Sequence, residues 1–267
     1  MGRRLIYIRP HISGYLPLTT AWIAATGETD TTILNALNTF EASMISNSMS
    51  SDLIAYYPMV GGNSTKHSYN FMNTSLYSLN FIGGWTHSST GALPSGTNAY
   101  APTGINGSTV LTQNNNHISF YSRTAASAAN RCSIACNIGG TGSTLALQIR
   151  TAGGVAQGLN NSQTAGQVAS VANADSRGFY LVNKTSASIG GLTLDKNGTQ
   201  IAANTIAITT NAYANADVFL SSLTPVLQRD DKECAGVTIG LGLNSTKRSQ
   251  LASMINTLNT SLSRNVY

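Results

Sequence analysis

Apolar and polar positions along most of this chain alternate with a period of two, in short runs broken by Gly, Asn, Ser and Thr. Such runs cover 53–60, 68–72, 77–82, 117–123, 131–138, 144–151, 167–171, 178–184, 189–194, 199–208, 218–220 and 235–241. Successive short strands with no helical stretch between them predict an all-β antiparallel sandwich or jelly roll. The sharpest turn signal lies in Leu192-Thr193-Leu194-Asp195-Lys196-Asn197-Gly198-Thr199-Gln200-Ile201, where Asn-Gly separates two alternating runs and predicts a hairpin.

Two segments change to helical spacing. Ile33, Leu34, Leu37, Phe40, Met44 and Ile45 recur every three or four residues behind Thr29 or Asp30 as N-cap, and the polar run 46–51 ends that helix. Near the other end, Leu251, Met254, Ile255, Leu258 and Leu262 form a narrow apolar stripe behind Asn244 or Ser245, which predicts a helix over 245–263. Residues 1–28 mix Arg, Pro, Gly and Thr and read as an extended arm. The organisation expected is an arm and helix over 1–50, serving attachment or oligomerisation, and a sandwich over 51–267 that includes the closing helix. Each helix should pack on the sandwich or on a neighbouring subunit; the pattern does not choose between them.

Charge alters this picture by what is missing. Charged residues are 9% of the chain, against about 25% in ordinary soluble domains, so the surface must be neutral and polar. From Leu53 to Ala174 there is no aspartate or glutamate. That argues against paired carboxylates for hydrolysis and removes the usual oxygen ligands of calcium or magnesium from the region. An enzyme is not expected, nor a metal or other cofactor. The formal charge of +5 is spread singly, apart from Arg3, Arg4 and Arg9 at the start and Lys247-Arg248 near the end. Without a basic stripe no nucleic acid is expected, while Arg3, Arg4 and Arg9 form a candidate attachment arm.

The remaining reactive groups are sparse. Asp230-Asp231-Lys232-Glu233 reads as an exposed, self-compensating loop. Cys132 and Cys136, on one strand, would share a face about 13 Å apart at roughly 3.3 Å per residue, too far for a disulfide. With Cys234 they are expected to be buried free thiols. His11, His67, His87 and His117 show no metal spacing and read as hydrogen-bonded strand residues. The Asn-x-Ser/Thr sequons, such as those at Asn63, Asn73 and Asn197, follow from composition and predict no glycans. Neither a secretory leader nor a membrane span is expected. One cluster suggests recognition: Trp85, with Tyr100 and Tyr121, can stack on the CH face of a sugar while His87, Asn98 and nearby hydroxyls bond its OH groups.

Several pieces occur in a telling order: Tyr57-Pro58-Met59-Val60-Gly61-Gly62, His67-Ser68-Tyr69-Asn70-Phe71, Gly83-Gly84-Trp85-Thr86-His87, Gly96-Thr97-Asn98-Ala99-Tyr100-Ala101 and Asn116-His117-Ile118-Ser119-Phe120-Tyr121-Ser122. With Val237-Thr238-Ile239-Gly240-Leu241-Gly242-Leu243 and the ending Leu262-Ser263-Arg264-Asn265-Val266, they cover about three-quarters of the chain. In this the sequence resembles virion-associated proteins of tailed and related phages of Bacteroidetes-type hosts, which have a concanavalin A/laminin-G-like jelly roll. The resemblance implies a concanavalin A-like jelly-roll sandwich, displayed as fibre, spike or capsid decoration on a virion assembled in the host cytoplasm. It implies other virion proteins as partners through the N-terminal arm, a homo-oligomer (a trimer by analogy with fibres and spikes), and host surface glycan as a ligand. Its rivals are a purely structural virion component with no ligand and a secreted carbohydrate-binding or glycan-cleaving protein. No catalytic residue carries over, since the Glu-x-Asp-x-x-Glu run of glucanase relatives is absent.

Overall fold

The computed structural model describes residues 14–125, 129–137, 144–161, 164–208 and 212–267. In chain order the elements are α1 (Pro17–Thr26), α2 (Thr31–Ser46), β1 (Leu53–Tyr57), α3 (Ser64–Ser68), β2 (Trp85–Ser88), β3 (Gly91–Pro94), β4 (Ala101–Asn106), α4 (Gly107–Val110), β5 (Asn116–Ser122), β6 (Ile134–Cys136), β7 (Leu145–Gln148), β8 (Val155–Asn160), β9 (Ala169–Ala172), β10 (Gly178–Lys184), β11 (Leu192–Lys196), β12 (Thr199–Ala203), β13 (Asp217–Leu220), β14 (Val237–Gly240) and α5 (Ser245–Ser261). Two six-stranded antiparallel sheets, ordered β1-β14-β5-β10-β11-β12 and β4-β13-β6-β7-β8-β9, form the expected sandwich. The β2–β3 hairpin stands at its margin.

The first sheet is buried on both faces. Every residue of β5 and β10 is buried, including Asn116, His117, Ser119, Ser122 and Asn183, whose polar groups are satisfied by internal hydrogen bonds. Ile118, Phe120, Tyr180 and Val182 face the core between the sheets. Tyr121, Phe179 and Leu181 face the other way, into a second core with Leu37, Phe40 and Met44 of α2 and Leu251, Ile255 and Leu258 of α5. Both helices therefore pack on their own sandwich. Asp30 caps α2 by accepting from Thr32 N at 2.8 Å, and Asn244 caps α5 by accepting from Lys247 N at 2.9 Å. The hairpin at Asn197-Gly198 joins β11 to β12, both residues having positive φ (53° and 81°) as a two-residue type I′ turn requires.

Several expectations need correction. Residues 17–26, read as part of an extended arm, form α1, and Trp22 is wholly buried against the helix layer. The cap that permits this helix comes from elsewhere in the chain: the buried Glu41 carboxylate of α2 accepts from Leu18 N, Thr19 N and Thr19 Oγ1, each at 2.8 Å. Segments 68–72 and 77–82 are irregular rather than strands, Ser68 ending α3 and Ile82 making only an isolated bridge to Tyr100, whereas β2, β3, β4 and β8 were not foreseen. The arm residues Arg3, Arg4 and Arg9, and His11, lie outside the described residues. Among the described residues, no helix is long and apolar enough to cross a membrane.

Candidate functional site

Helices cover the outer face of the first sheet, and a groove of about 650 Å³ lies on the outer face of the second. That volume falls in the range of small-molecule sites, roughly 300–1,000 Å³. Its floor follows from strand alternation. Leu145 and Leu147 of β7 face the core, which turns Ala146 and Gln148 outward; on β8, Gln157 and Leu159 do the same.

Pairing register then sorts these side chains into two rows crossing the strands. Gln148 lies opposite Gln157, and Gln157 opposite Ser170. Gln228 extends this polar row, because Gln148 Nε2 donates to Gln228 Oε1 at 2.8 Å. Two residues further along each strand runs an apolar row: Ala135 opposite Ala146, and Ala146 opposite Leu159. Cys132, Ala135 and Ala146, backed by Leu159 and Leu223, make a small hydrophobic cluster separate from the main cores. Val168, Ala165 and Gly166 line the far side, and Thr144, Thr151 and Asn130 complete the groove. At about 4.8 Å per strand, four strands give a floor roughly 14 Å across.

The groove is electrically quiet. No charged side chain lines it among the described residues. Cys132 donates to Gln228 Oε1 at 3.1 Å, and burial pushes its thiol up to about 12, so it remains an S–H donor. A surface of amides, hydroxyls and small aliphatic groups hydrogen-bonds a neutral polar ligand and offers a flat apolar strip beside it. It supplies neither a general acid nor a nucleophile with an adjacent base.

The residues proposed from sequence for sugar stacking divide. Trp85, His87, Asn98 and Tyr100 come together around the β2–β3 hairpin; Tyr121 lies buried under the helix layer, its hydroxyl donating to Asn265 Oδ1 at 2.9 Å. The hairpin group spends its polar atoms internally. Trp85 Nε1 donates to Ile82 O at 3.1 Å, and Asn98 Oδ1 accepts from Gly84 N at 3.0 Å and from Ser95 Oγ at 2.8 Å. His87 Nδ1 faces His67 Nδ1 at 2.9 Å, one ring donating and the other accepting. Burial lowers the basicity of both rings, that of His67 to about 3. His67 belongs to α3, so it is not the strand residue expected.

The acidic cluster is self-compensating but not exposed. Asp230 and Lys232 are both wholly buried and paired at 2.8 Å, while Asp231 pairs with Arg131 and Glu233 with Arg123. All three cysteines are free and buried. Cys132 and Cys136 do not share a face, because β6 begins only at Ile134: Cys132 joins the outer cluster and Cys136 the main core. Among the described residues, no group of three or more His, Cys, Asp or Glu is placed to hold a metal ion.

Sequence reasoning missed Gln148, Gln157, Gln228, Leu159 and Ser170. The signal for them is the Gly153-Gly154 turn joining β7 to β8. Strand β8, Val-Ala-Gln-Gly-Leu-Asn, places Ala156, Gly158 and Asn160 inward and its larger side chains outward, which inverts the usual pattern. Gly158 must be small: a Cβ there would lie 2.9 Å from Val182 Cγ2 of the facing sheet.

Compared with models of known protein families, the chain matches none. No curated protein matches it either. Solved structures share its fold at low identity. Domain 4 of AbnA, a GH43 extracellular arabinanase from Geobacillus stearothermophilus, solved with arabinotriose, is 11% identical over 76% of this chain and 98% of that domain, with a TM-score of 0.50. A mutant of HCR/D is 11% identical over 76% of this chain and 52% of that one, with a TM-score of 0.51. Trypanosoma rangeli sialidase, solved with sialic acid, is 7% identical over 75% of this chain and only 32% of its own length, with a TM-score of 0.50. These likenesses concern the fold, a β-sandwich of two antiparallel sheets.

Proposed function

We propose that this chain is a non-catalytic glycan-binding sandwich whose ligand lies in the groove on the outer face of the second sheet. The observation that carries this reading is the pair of adjacent rows, one of amides and hydroxyl (Gln228, Gln148, Gln157, Ser170) and one aliphatic (Ala146, Leu159). A sugar ring is similarly two-sided, with an equatorial rim of hydroxyls and apolar CH patches. The fold supports the same class of ligand, since a domain sharing it was solved with arabinotriose. Display on a phage particle, in oligomeric form and attached through the N-terminal segment, is the setting we propose for this binding; its support is the sequence resemblance.

A glycan array followed by calorimetry on the full chain tests the binding. Gln148→Ala and Gln157→Ala should each weaken the bound glycan about fivefold to tenfold, the value of one hydrogen bond. Ser170→Trp, at an exposed position, should block the groove. Binding that survives these changes but is lost in Trp85→Ala moves the site to the β2–β3 hairpin. The absence of any glycan binding overturns the reading and leaves the sandwich as scaffold.

A further inference from the structure

We infer that the groove selects neutral glycans and rejects their acidic counterparts. This rests on the glycan-binding reading and adds to it the chemistry that decides among ligands. Gln148 Nε2 donates to Gln228 Oε1, which also accepts from the Cys132 thiol. With the second N–H of Gln148 directed at Cys132 Sγ at 3.6 Å, the joined pair offers a ligand the acceptor Gln148 Oε1 beside the N–H groups of Gln228 Nε2. Rotating both amides exchanges the roles but keeps an acceptor beside N–H groups. A hydroxyl matches such a pair because it donates and accepts at once, whereas a carboxylate only accepts and brings its lone pairs against an amide oxygen.

Desolvation acts in the same direction. A carboxylate entering the groove gives up water and finds no cation lining it among the described residues. The bases beside the lining are committed elsewhere: Arg229, next to Gln228, donates to Thr97 O and Pro225 O, Arg131, next to Cys132, pairs with Asp231, and the buried Lys232, which acts on the Cys132 thiol, pairs with Asp230. Arg150 follows the end of β7 outside the lining.

The test is an array of neutral oligosaccharides, each printed beside the uronic acid that differs only by a carboxylate at C6, with sialylated glycans added. Binding confined to neutral members, with an affinity unchanged as ionic strength rises from about 0.05 to about 0.5 M, is the expected result. Gln157→Arg should bring at least about a tenfold gain toward the uronate matching the bound sugar, by supplying a charge-assisted partner. Preference of the unaltered protein for uronate or sialylated glycans, weakened by salt, overturns the inference while sparing the glycan-binding reading, and points to Arg150. No binding to either set overturns both.

Discussion

His117 is held between Leu241 O, to which Nδ1 donates at 2.6 Å, and Thr238 Oγ1, 3.1 Å from Nε2. Burial lowers its basicity to about 4 from an ordinary 6.5, against weaker opposing effects of the Leu241 bond and Asp52. An unfolded chain takes up this proton first, so the contribution is complete above pH 6.5 and is lost as pH falls toward 4. The loss is on the order of 3 kcal/mol. Denaturant titrations at several pH values should show His117→Gln losing less stability in acid than the parent; parallel slopes would refute the assignment. Arg264 is a second buried group with a defined task. Its guanidinium donates to Met59 O, Pro58 O and Ala235 O, fastening the chain's end to the loop after β1. Arg264→Leu strands three carbonyls and should cost about 3 kcal/mol, read as a lower midpoint in urea; an unchanged midpoint would contradict this role. Neither network is visible in sequence, because each partner lies more than a hundred residues away or in an irregular segment. Trp85 and Tyr121 show the same limit: as aromatic residues they look alike in sequence, yet one half-covers a hairpin and the other lies under a helix layer.

Helices α2 and α5 were legible because each has its own cap and an apolar stripe at the right period. Helix α1 was not, since Leu16 occupies its N-cap without a side-chain bond and the acceptor is Glu41, in the next helix. Pro17 at its first turn and Gly27 at its C-cap were the local hints. Glu41→Gln should therefore cost about 1–2 kcal/mol by weakening the bonds to the α1 N-terminus, with faster amide exchange confined to 17–26. Global loosening without that local signature would show that Glu41 does something else. Strands β10, β11 and β14 were legible from apolar content and from the Asn197-Gly198 turn. Strand β8 was not, because a strand with its small residues inward and glutamine outward carries no conventional amphipathic signal.

At the scale of the molecule, the three longer helices and the open groove lie on opposite sides of the sandwich. Apolar side chains from α1, α2 and α5 cover much of the outer face of the first sheet and hold the fold together, leaving a cavity of about 470 Å³ beside the N-terminus of α5, lined among others by Asn183, Thr193, Lys247 and Arg248. The second sheet turns glutamine, serine and small aliphatic residues outward, and its outer face carries the uncharged groove proposed for the glycan. The carboxylate-free span from Leu53 to Ala174 contains β6, β7, β8 and β9, the strands beneath the groove, together with β1 and β5 of the first sheet. Sequence thus conveyed the neutrality of the face but not its location, which depends on the pairing of β7 with β8. The most direct test follows the side-chain amide resonances of Gln148, Gln157 and Gln228, assigned by Gln→Ala variants, during titration with neutral trisaccharides such as arabinotriose. Ligand in the groove gives saturable shifts of these amides with the Trp85 indole N–H unmoved. Shifts confined to Trp85, or none with any neutral sugar tried, would contradict this placement.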